Sequence, residues 1–327
     1  MRLAVLNEKV VGKKLAVPIY TQAGMVYMNK GYVLSERNVD QIKKIGVNTV
    51  YIEDGMNEVT LQEIYDTRLK LNNIRELKAA FDDCKKNNYI EEGPIIKVVE
   101  DIIDNVNISE NAYLYNNISE KDNKLTLCIH SINVAILSIV VGYIKNYNNE
   151  KLLKLGIGAV LHDVGKLFKD GREHPYEGYK LMKRNSNFPL TSCACVRSHH
   201  ENEDGSGYPE KLKGDKIHEF AKIVSICDEY LNTLNSQKFS LPHEAIEKIT
   251  AVAAKRFDSK IYKDFMKSVY CYPNGLTVKL NNGKEAVVIK QNVGMPSRPI
   301  VGLKINGKLA YCNLAEGLTI FVDKVVL

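Results

Sequence analysis

The sequence predicts a mainly α fold, with a small N-terminal α/β domain and a small C-terminal β-rich appendage. Three observations carry this. From Thr60 to Ser268, apolar residues recur mostly at helical spacing, with Gly- and Pro-bearing loops between the runs. Before that stretch, short β-branched and aromatic runs surround turn residues, and after Tyr272-Pro273-Asn274-Gly275 the pattern changes to hairpins. A chain of 327 residues buries a sizeable core and is long enough for about two or three domains. The expected divisions are 1–56 (accessory α/β), 57–94 (helical connector), 95–268 (catalytic) and 269–327 (β appendage).

Taken in order, Val17–Tyr20 and Val26–Met28 read as strands around Ala23-Gly24. Ser35 is an N-cap for a short helix through Val39, Ile42 and Ile45 that Gly46 ends, and Val47–Ile52 is a further strand. Leu61, Ile64, Leu69, Leu71, Ile74, Leu77 and Phe81 form one face of a long amphipathic helix over 60–87, a connector or dimer contact. Gly93-Pro94 breaks it, and a second helix runs from Ile95 to about Val106. Helices follow at Leu125–Tyr143, Lys151–Leu161, Tyr176–Lys183, Ser192–His200, His218–Leu234 and His243–Ala254. Thr277–Leu280 and Ala286–Ile289 make a hairpin around Asn281-Asn282-Gly283, and strands at Pro299–Val301, Leu309–Tyr311 and Leu318–Leu327 close the chain.

Composition narrows the class without fixing the function. Hydrophobic and charged fractions of 45% and 26% are ordinary for a globular protein. The net charge of +6 is spread along the chain, which favours anionic ligands mildly and does not call for a DNA or RNA polymer. The N-terminal apolar run is too short for a secretory signal. Leu125–Ile144 has the length of a membrane span but carries His130, Ser131, Asn133 and Ser138, so it reads as a buried core helix. Seven scattered cysteines read as reduced thiols in a cytoplasm.

The chemistry gathers at Leu161-His162-Asp163-Val164-Gly165-Lys166, where an imidazole and a carboxylate interrupt an apolar run. Such a pair can aim a nitrogen and an oxygen at one divalent cation, and the carboxylate can bridge to a second. His130 precedes it, and His174, the doublet His199-His200 and Asp228 follow, so five of the seven histidines fall in these clusters. His218 and His243 are left as structural residues. Any one of these histidines read singly is an ordinary core or surface residue; the set as a whole would need too many separate buried partners. Five imidazoles and two carboxylates suffice for two divalent ions with open positions for water, a pairing suited to attack on a phosphodiester. Lys166 then reads either as a fixed cation over the phosphate or as a solvated lysine at a helix end. Tyr208 reads as a cleft residue or as a turn residue packed on Pro209, and Gly205-Ser206-Gly207 lacks the lysine and serine of a P-loop.

These residues resemble the HD-GYP family of metal-dependent phosphohydrolases. The resemblance rests on His130-Ser131-Ile132-Asn133-Val134-Ala135, on His162-Asp163-Val164-Gly165-Lys166, and on His174-Pro175-Tyr176-Glu177-Gly178. Its defining block is His199-His200-Glu201-Asn202-Glu203-Asp204-Gly205-Ser206-Gly207-Tyr208-Pro209, and Asp228 completes it; it covers about residues 95–268. It implies an all-helical HD-type domain with a binuclear iron or manganese centre. The implied reaction is hydrolysis of cyclic di-GMP to pGpG and, in some members, GMP. Carried over by motif, His130, His162, Asp163, His174, His199, His200 and Asp228 are metal ligands, with Asp163 bridging. Lys166 assists at the phosphate, and Tyr208 with Gly205, Ser206 and Gly207 shapes the substrate cleft.

The chain departs from the family pattern in three places. Thr126 stands where some members carry a glutamate for a third ion, so two ions are expected. The link from Asp163 to His174 is shorter than the family usually has. Gln237 and Ser240 stand where a basic pair would grip the substrate, and Lys238 is the substitute cation. A cytoplasmic cyclic-dinucleotide phosphodiesterase is therefore the expected function, with no membrane partner and with the 60–87 helix as a homodimer contact. The alternatives are a catalytically inactive module that senses a nucleotide, and a di-iron oxygenase on the same scaffold.

Overall fold

A computed structural model describes residues 2–20, 26–44, 47, 49–53, 64–108, 123–185, 187–236, 242–305, 308–317 and 319–326. It divides into two compact units: one comprises Tyr65–Ile108 and Lys121–Ser268, and the other includes Met1–Ile64 and Val269–Leu327.

In the second of these, β1 (Arg2–Val5) pairs antiparallel with β4 (Thr49–Ile52), and β2 (Ile19–Tyr20) pairs with β3 (Val26–Met28). Helix α1 (Glu36–Lys44) begins where the Ser35 hydroxyl accepts the Asn38 N–H at 3.2 Å, the cap expected at that position. Val39 and Ile42 of α1 join Ala4, Leu6, Leu15, Met28 and Val50 in one small core. At the other end of the chain, β5 (Thr277–Leu280), β6 (Glu285–Lys290), β7 (Ile300–Ile305), β8 (Lys308–Asn313) and β9 (Val322–Val325) form an antiparallel sheet in the order β8-β7-β6-β5-β9. The turn between β5 and β6 uses Gly283 at φ +83°, a conformation that costs glycine little.

The helical unit starts with α2 (Thr67–Asn87) and α3 (Glu92–Asn105). Asp66 Oδ1 accepts the N–H groups of Arg68 and Leu69, so α2 begins at Thr67; the expected start at Thr60 lies outside the described residues. Helix α2 ends at Asn88 in the left-handed region, well before Gly93-Pro94. That dipeptide does not break a helix here. It sits in the first turn of α3, where proline's missing N–H leaves no intrahelical bond unmade. The apolar face of α2 (Leu71, Ile74, Leu77, Phe81) is buried within the unit, where α2 packs on α3 and α4.

Helix α4 (Asn123–Ile144) is the centre of this unit and packs along α5 (Asn149–Leu161) and α8 (Glu219–Ser236). It is apolar and long enough to cross a membrane by length and composition, but every residue from Ser131 to Gly142 is buried inside the unit. Helix α6 (His174–Arg184) packs on α7 (Leu190–Ser198) and on the short 3-10 turn Val164–Leu167. Helices α9 (Pro242–Arg256) and α10 (Ser259–Ser268) pack against α8; α10 is an addition to the sequence expectation. All seven cysteines are free, and six are buried.

Candidate metal centre

Five helices, or the residues just after them, deliver the seven predicted ligands to one place. His130 comes from the middle of α4 and Asp228 from the middle of α8. His162 caps the C-terminus of α5, and Asp163 leads the 3-10 turn behind it. His174 opens α6, while His199 and His200 follow the last turn of α7. His162, Asp163, His174, His199 and Asp228 are each 5% exposed or less, so their polar atoms need partners inside the unit.

The donor atoms form two groups, each with its atoms within 4.8 Å of one another: Asp163, His174, His199 and His200, and His130, His162 and Asp228. Asp163 links them. Its Oδ1 lies 3.0 Å from His174 Nε2 and 3.6 Å from His199 Nε2, and its Oδ2 lies 3.2 Å from His162 Nε2 and 3.9 Å from His130 Nε2. His174 Nε2 is 3.3 Å from His199 Nε2 and 3.2 Å from His200 Nε2. His130 Nε2 and Asp228 Oδ1 are 2.8 Å apart, and Asn232 Nδ2 donates to the same oxygen at 2.7 Å.

Backbone carbonyls set the direction of three rings. Nδ1 of His162, His174 and His199 lies 2.8, 2.5 and 2.8 Å from the carbonyls of Ala159, Gly171 and Val196, each three residues earlier. A carbonyl can only accept, so each Nδ1 carries a proton and Nε2 is the nitrogen turned into the cavity. This suits a divalent cation. His162 Nε2 and Asp163 Oδ1 are buried without a hydrogen bond of good geometry, although polar atoms crowd around them. Donors that share an ion at about 2.1 Å sit roughly 3–3.5 Å from one another, and the separations here, 2.8–3.9 Å, bracket that range.

The electrostatics also fit a cation. Burial disfavours a charge on His162, but Asp163 and Asp228 outweigh it and push the imidazole up to about 10, so without an ion its Nε2 also holds a proton, which a bound cation would replace. Burial would raise Asp163 and Asp228, yet the neighbouring imidazoles hold both carboxyls well below their usual range. Burial and the adjacent His199 ring press His200 down to about 2, so its nitrogen stays neutral and able to donate a lone pair. Two ionised, buried carboxylates need compensating positive charge, and the residues present can bind a divalent cation that supplies it.

Lys166 Nζ reaches Asp163 Oδ2 at 2.5 Å, with about a third of its side chain exposed. Tyr208 stacks on His200, with ring centres 4.7 Å apart and planes 23° apart, and burial raises its hydroxyl to about 12. The Tyr208–Pro209 peptide is cis. Gly207 packs where a Cβ would lie 2.5 Å from His200 O and Asn202 N, which brings Tyr208 back against the histidine doublet. Gly205 and Ser206 make their contacts within the turn: Ser206 N–H donates to Asp204 Oδ1, and Asn202 Nδ2 donates to Ser206 Oγ. Lys238, with Gln237 and Ser240, lies outside the described residues. His218 stands apart from the centre and accepts the Phe220 N–H on Nδ1 at the start of α8.

Two residues were not singled out from the sequence. Glu201, 2% exposed, accepts the N–H groups of Glu210 and Leu212 and so anchors the loop that carries Tyr208. Its position directly behind the histidine doublet was the available signal. Arg172 places its guanidinium carbon 5.3 Å from the centre of the Tyr208 ring, and no spacing rule pointed to it.

Fold and centre together define a class. Residues 127–233 match the family model of the HD domain. The chain is 28% identical over 203 residues to cyclic di-GMP phosphodiesterase PdeB of Borreliella burgdorferi, covering 55% of this chain and 53% of that protein. It is 27% identical over 183 residues to cyclic di-GMP phosphodiesterase PA4108 of Pseudomonas aeruginosa, covering 50% and 44%. The chain thus spans about half the length of the curated relatives it matches. Its fold is similar to that of Bd1817, an HDG"Y"P protein from Bdellovibrio bacteriovorus, with a TM-score of 0.51 at 15% identity over 80% of this chain and 98% of that one.

Proposed function

We propose that this protein is a metal-dependent phosphodiesterase that hydrolyses a cyclic dinucleotide, with cyclic di-GMP as substrate and pGpG, GMP or both as product. The observation that carries the reading is the placement of Asp163, whose two oxygens face two different groups of histidines. In this reading His130, His162 and Asp228 would hold one divalent ion, His174, His199 and His200 would hold the other, and Asp163 would serve both. The ions are iron or manganese, which take the same nitrogen and oxygen donors. When bound, they supply Lewis acidity, lowering the pKa of water and sharing the charge that develops on phosphorus.

The chain's own groups do the rest. The three carbonyl-anchored imidazoles keep Nε2 directed inward, so little movement of the rings is needed when the centre fills. Lys166 contributes a fixed ammonium at the open side of Asp163, placed to bind a phosphate oxygen more strongly as negative charge builds there. Tyr208, held by its stack on His200, forms a wall of the cleft with Gly205, Ser206 and Gly207. Lys238 adds substrate-binding charge. The names of the relatives from Borreliella and Pseudomonas support the choice of cyclic di-GMP.

The reading places the protein in the cytoplasm, with no nucleic-acid polymer or membrane as partner. A homodimer contact through residues 60–87 would use the polar outer face of α2, since its apolar face is buried. The test is turnover by protein purified without oxygen and loaded with Mn²⁺ or Fe²⁺. Conversion of cyclic di-GMP to pGpG or GMP is expected. Binding without cleavage would contradict the reading and leave a nucleotide sensor.

A further inference from the structure

We propose that Arg172 grips the second, unreacting phosphodiester of the cyclic dinucleotide, which makes the short link between Asp163 and His174 part of the substrate site. The inference rests on the function proposed above. A cyclic dinucleotide carries two phosphodiesters, and only one reacts at a time. The other keeps a full negative charge just beyond the reacting centre and needs a cation there.

Arg172 is placed for this. It lies in the 3-10 turn Gly171–Glu173, two residues before His174, and its side chain is exposed. Its guanidinium is 5.3 Å from the Tyr208 ring centre; Tyr208 stacks on His200, and His200 Nε2 lies 3.2 Å from His174 Nε2. The cation therefore stands at the rim of the cluster, one aromatic ring away from a candidate ligand. Its backbone is anchored to the centre as well, because the Gly171 carbonyl, one residue before it, orients His174 through Nδ1.

The neighbouring cations are already engaged. Lys166 binds Asp163, and Arg256 binds Glu229 at 2.9 Å and Asn202. Glu173, the carboxylate nearest Arg172 in sequence, is tied to Lys169 at 2.7 Å. Among the described residues Arg172 makes no hydrogen bond or ion pair, so its five N–H donors are available to a ligand. The guanidinium fork matches the paired oxygens of a phosphodiester, which an ammonium does not.

The test compares wild type, Arg172→Ala and Arg172→Lys on two substrates: cyclic di-GMP and bis(p-nitrophenyl) phosphate, which has a single phosphodiester. Arg172→Ala should raise KM for cyclic di-GMP roughly tenfold or more beyond any effect on the small substrate, with metal content retained. Arg172→Lys should recover part of that loss. An unchanged KM for cyclic di-GMP in Arg172→Ala, while wild type cleaves it, overturns the inference and leaves the proposed function standing. Equal losses on both substrates also overturn it, since Arg172 would then only support the fold of the site. A wild type that cleaves the small substrate but neither binds nor cleaves cyclic di-GMP overturns the substrate reading and this inference together.

Discussion

Lys166 Nζ lies 2.5 Å from Oδ2 of Asp163, the oxygen that also faces His162. An exposed lysine at the end of a helix has no need of such a buried partner. The contact puts a permanent positive charge at the mouth of the candidate centre. Lys166→Ala should keep its metal, because no Nζ is needed to ligate a cation, and should lower kcat about a hundredfold, the usual cost of losing one preorganised charge partner. Steady-state rates paired with elemental analysis check this, and an unchanged rate would return Lys166 to the surface.

Asp163→Ala should behave differently. The side chain serves both groups of histidines, so its removal is expected to empty both and to lower activity at least about a hundredfold. The fold should survive at some cost in stability, since the helical unit is well packed but His162 and His174 lose a buried partner. Metal content and circular dichroism measured together separate loss of the centre from loss of the fold.

Gly165 gives a test that touches no ligand directly. A Cβ at this position would lie 2.0 Å from His174 O and 2.7 Å from Gly178 N, both backbone atoms of α6. Gly165→Ala must therefore push α6 away from the 164–167 turn, at a cost of about 1–3 kcal/mol, and carry His174 with it. Reduced metal affinity and a lower melting temperature are both expected. A variant with wild-type metal content would show that His174 is not held by this close approach.

Glu219 supplies a pH test away from the centre. Burial works against its charge, but Tyr147, Lys151 and Lys145 outweigh it and hold the carboxyl down at about 2. A carboxyl depressed on folding adds stability at pH values above its unfolded pKa, and that contribution is lost as pH falls through the folded value. Glu219→Gln should therefore melt lower than wild type at pH 7, by less than about 1 kcal/mol for so exposed a pair, and the gap should narrow as pH falls toward 2. Melting curves between pH 7 and pH 3 check it.

Much of this architecture was legible because helices announce themselves locally. The apolar period placed α4 to α9 within a few residues of their observed ends, and Ser35 marked the start of α1. What escaped was decided by partners distant in sequence or by backbone detail. Strand β1 is four residues long and is defined by its pairing across the chain, Leu3 with Tyr51 and Ala4 with Val50, which no local pattern reveals. The end of α2 depends on Asn88 adopting φ 52°, not on Gly93-Pro94. At the centre, residue types alone pointed to the seven donors. That Oδ1 and Oδ2 of Asp163 serve opposite groups, and that three backbone carbonyls orient the rings, follow only from the way α5 and α7 end and α6 begins. Arg172 was invisible because an exposed arginine in a short link has no periodicity to betray it.

The account stands on two cations sharing one carboxylate. Anomalous diffraction from crystals grown without oxygen, with data collected at the iron and manganese edges, addresses that directly. Two peaks are expected, one touching Asp163 Oδ1 among His174, His199 and His200, the other touching Oδ2 among His130, His162 and Asp228. A single peak, no peak, or ions bound away from Asp163 would contradict it.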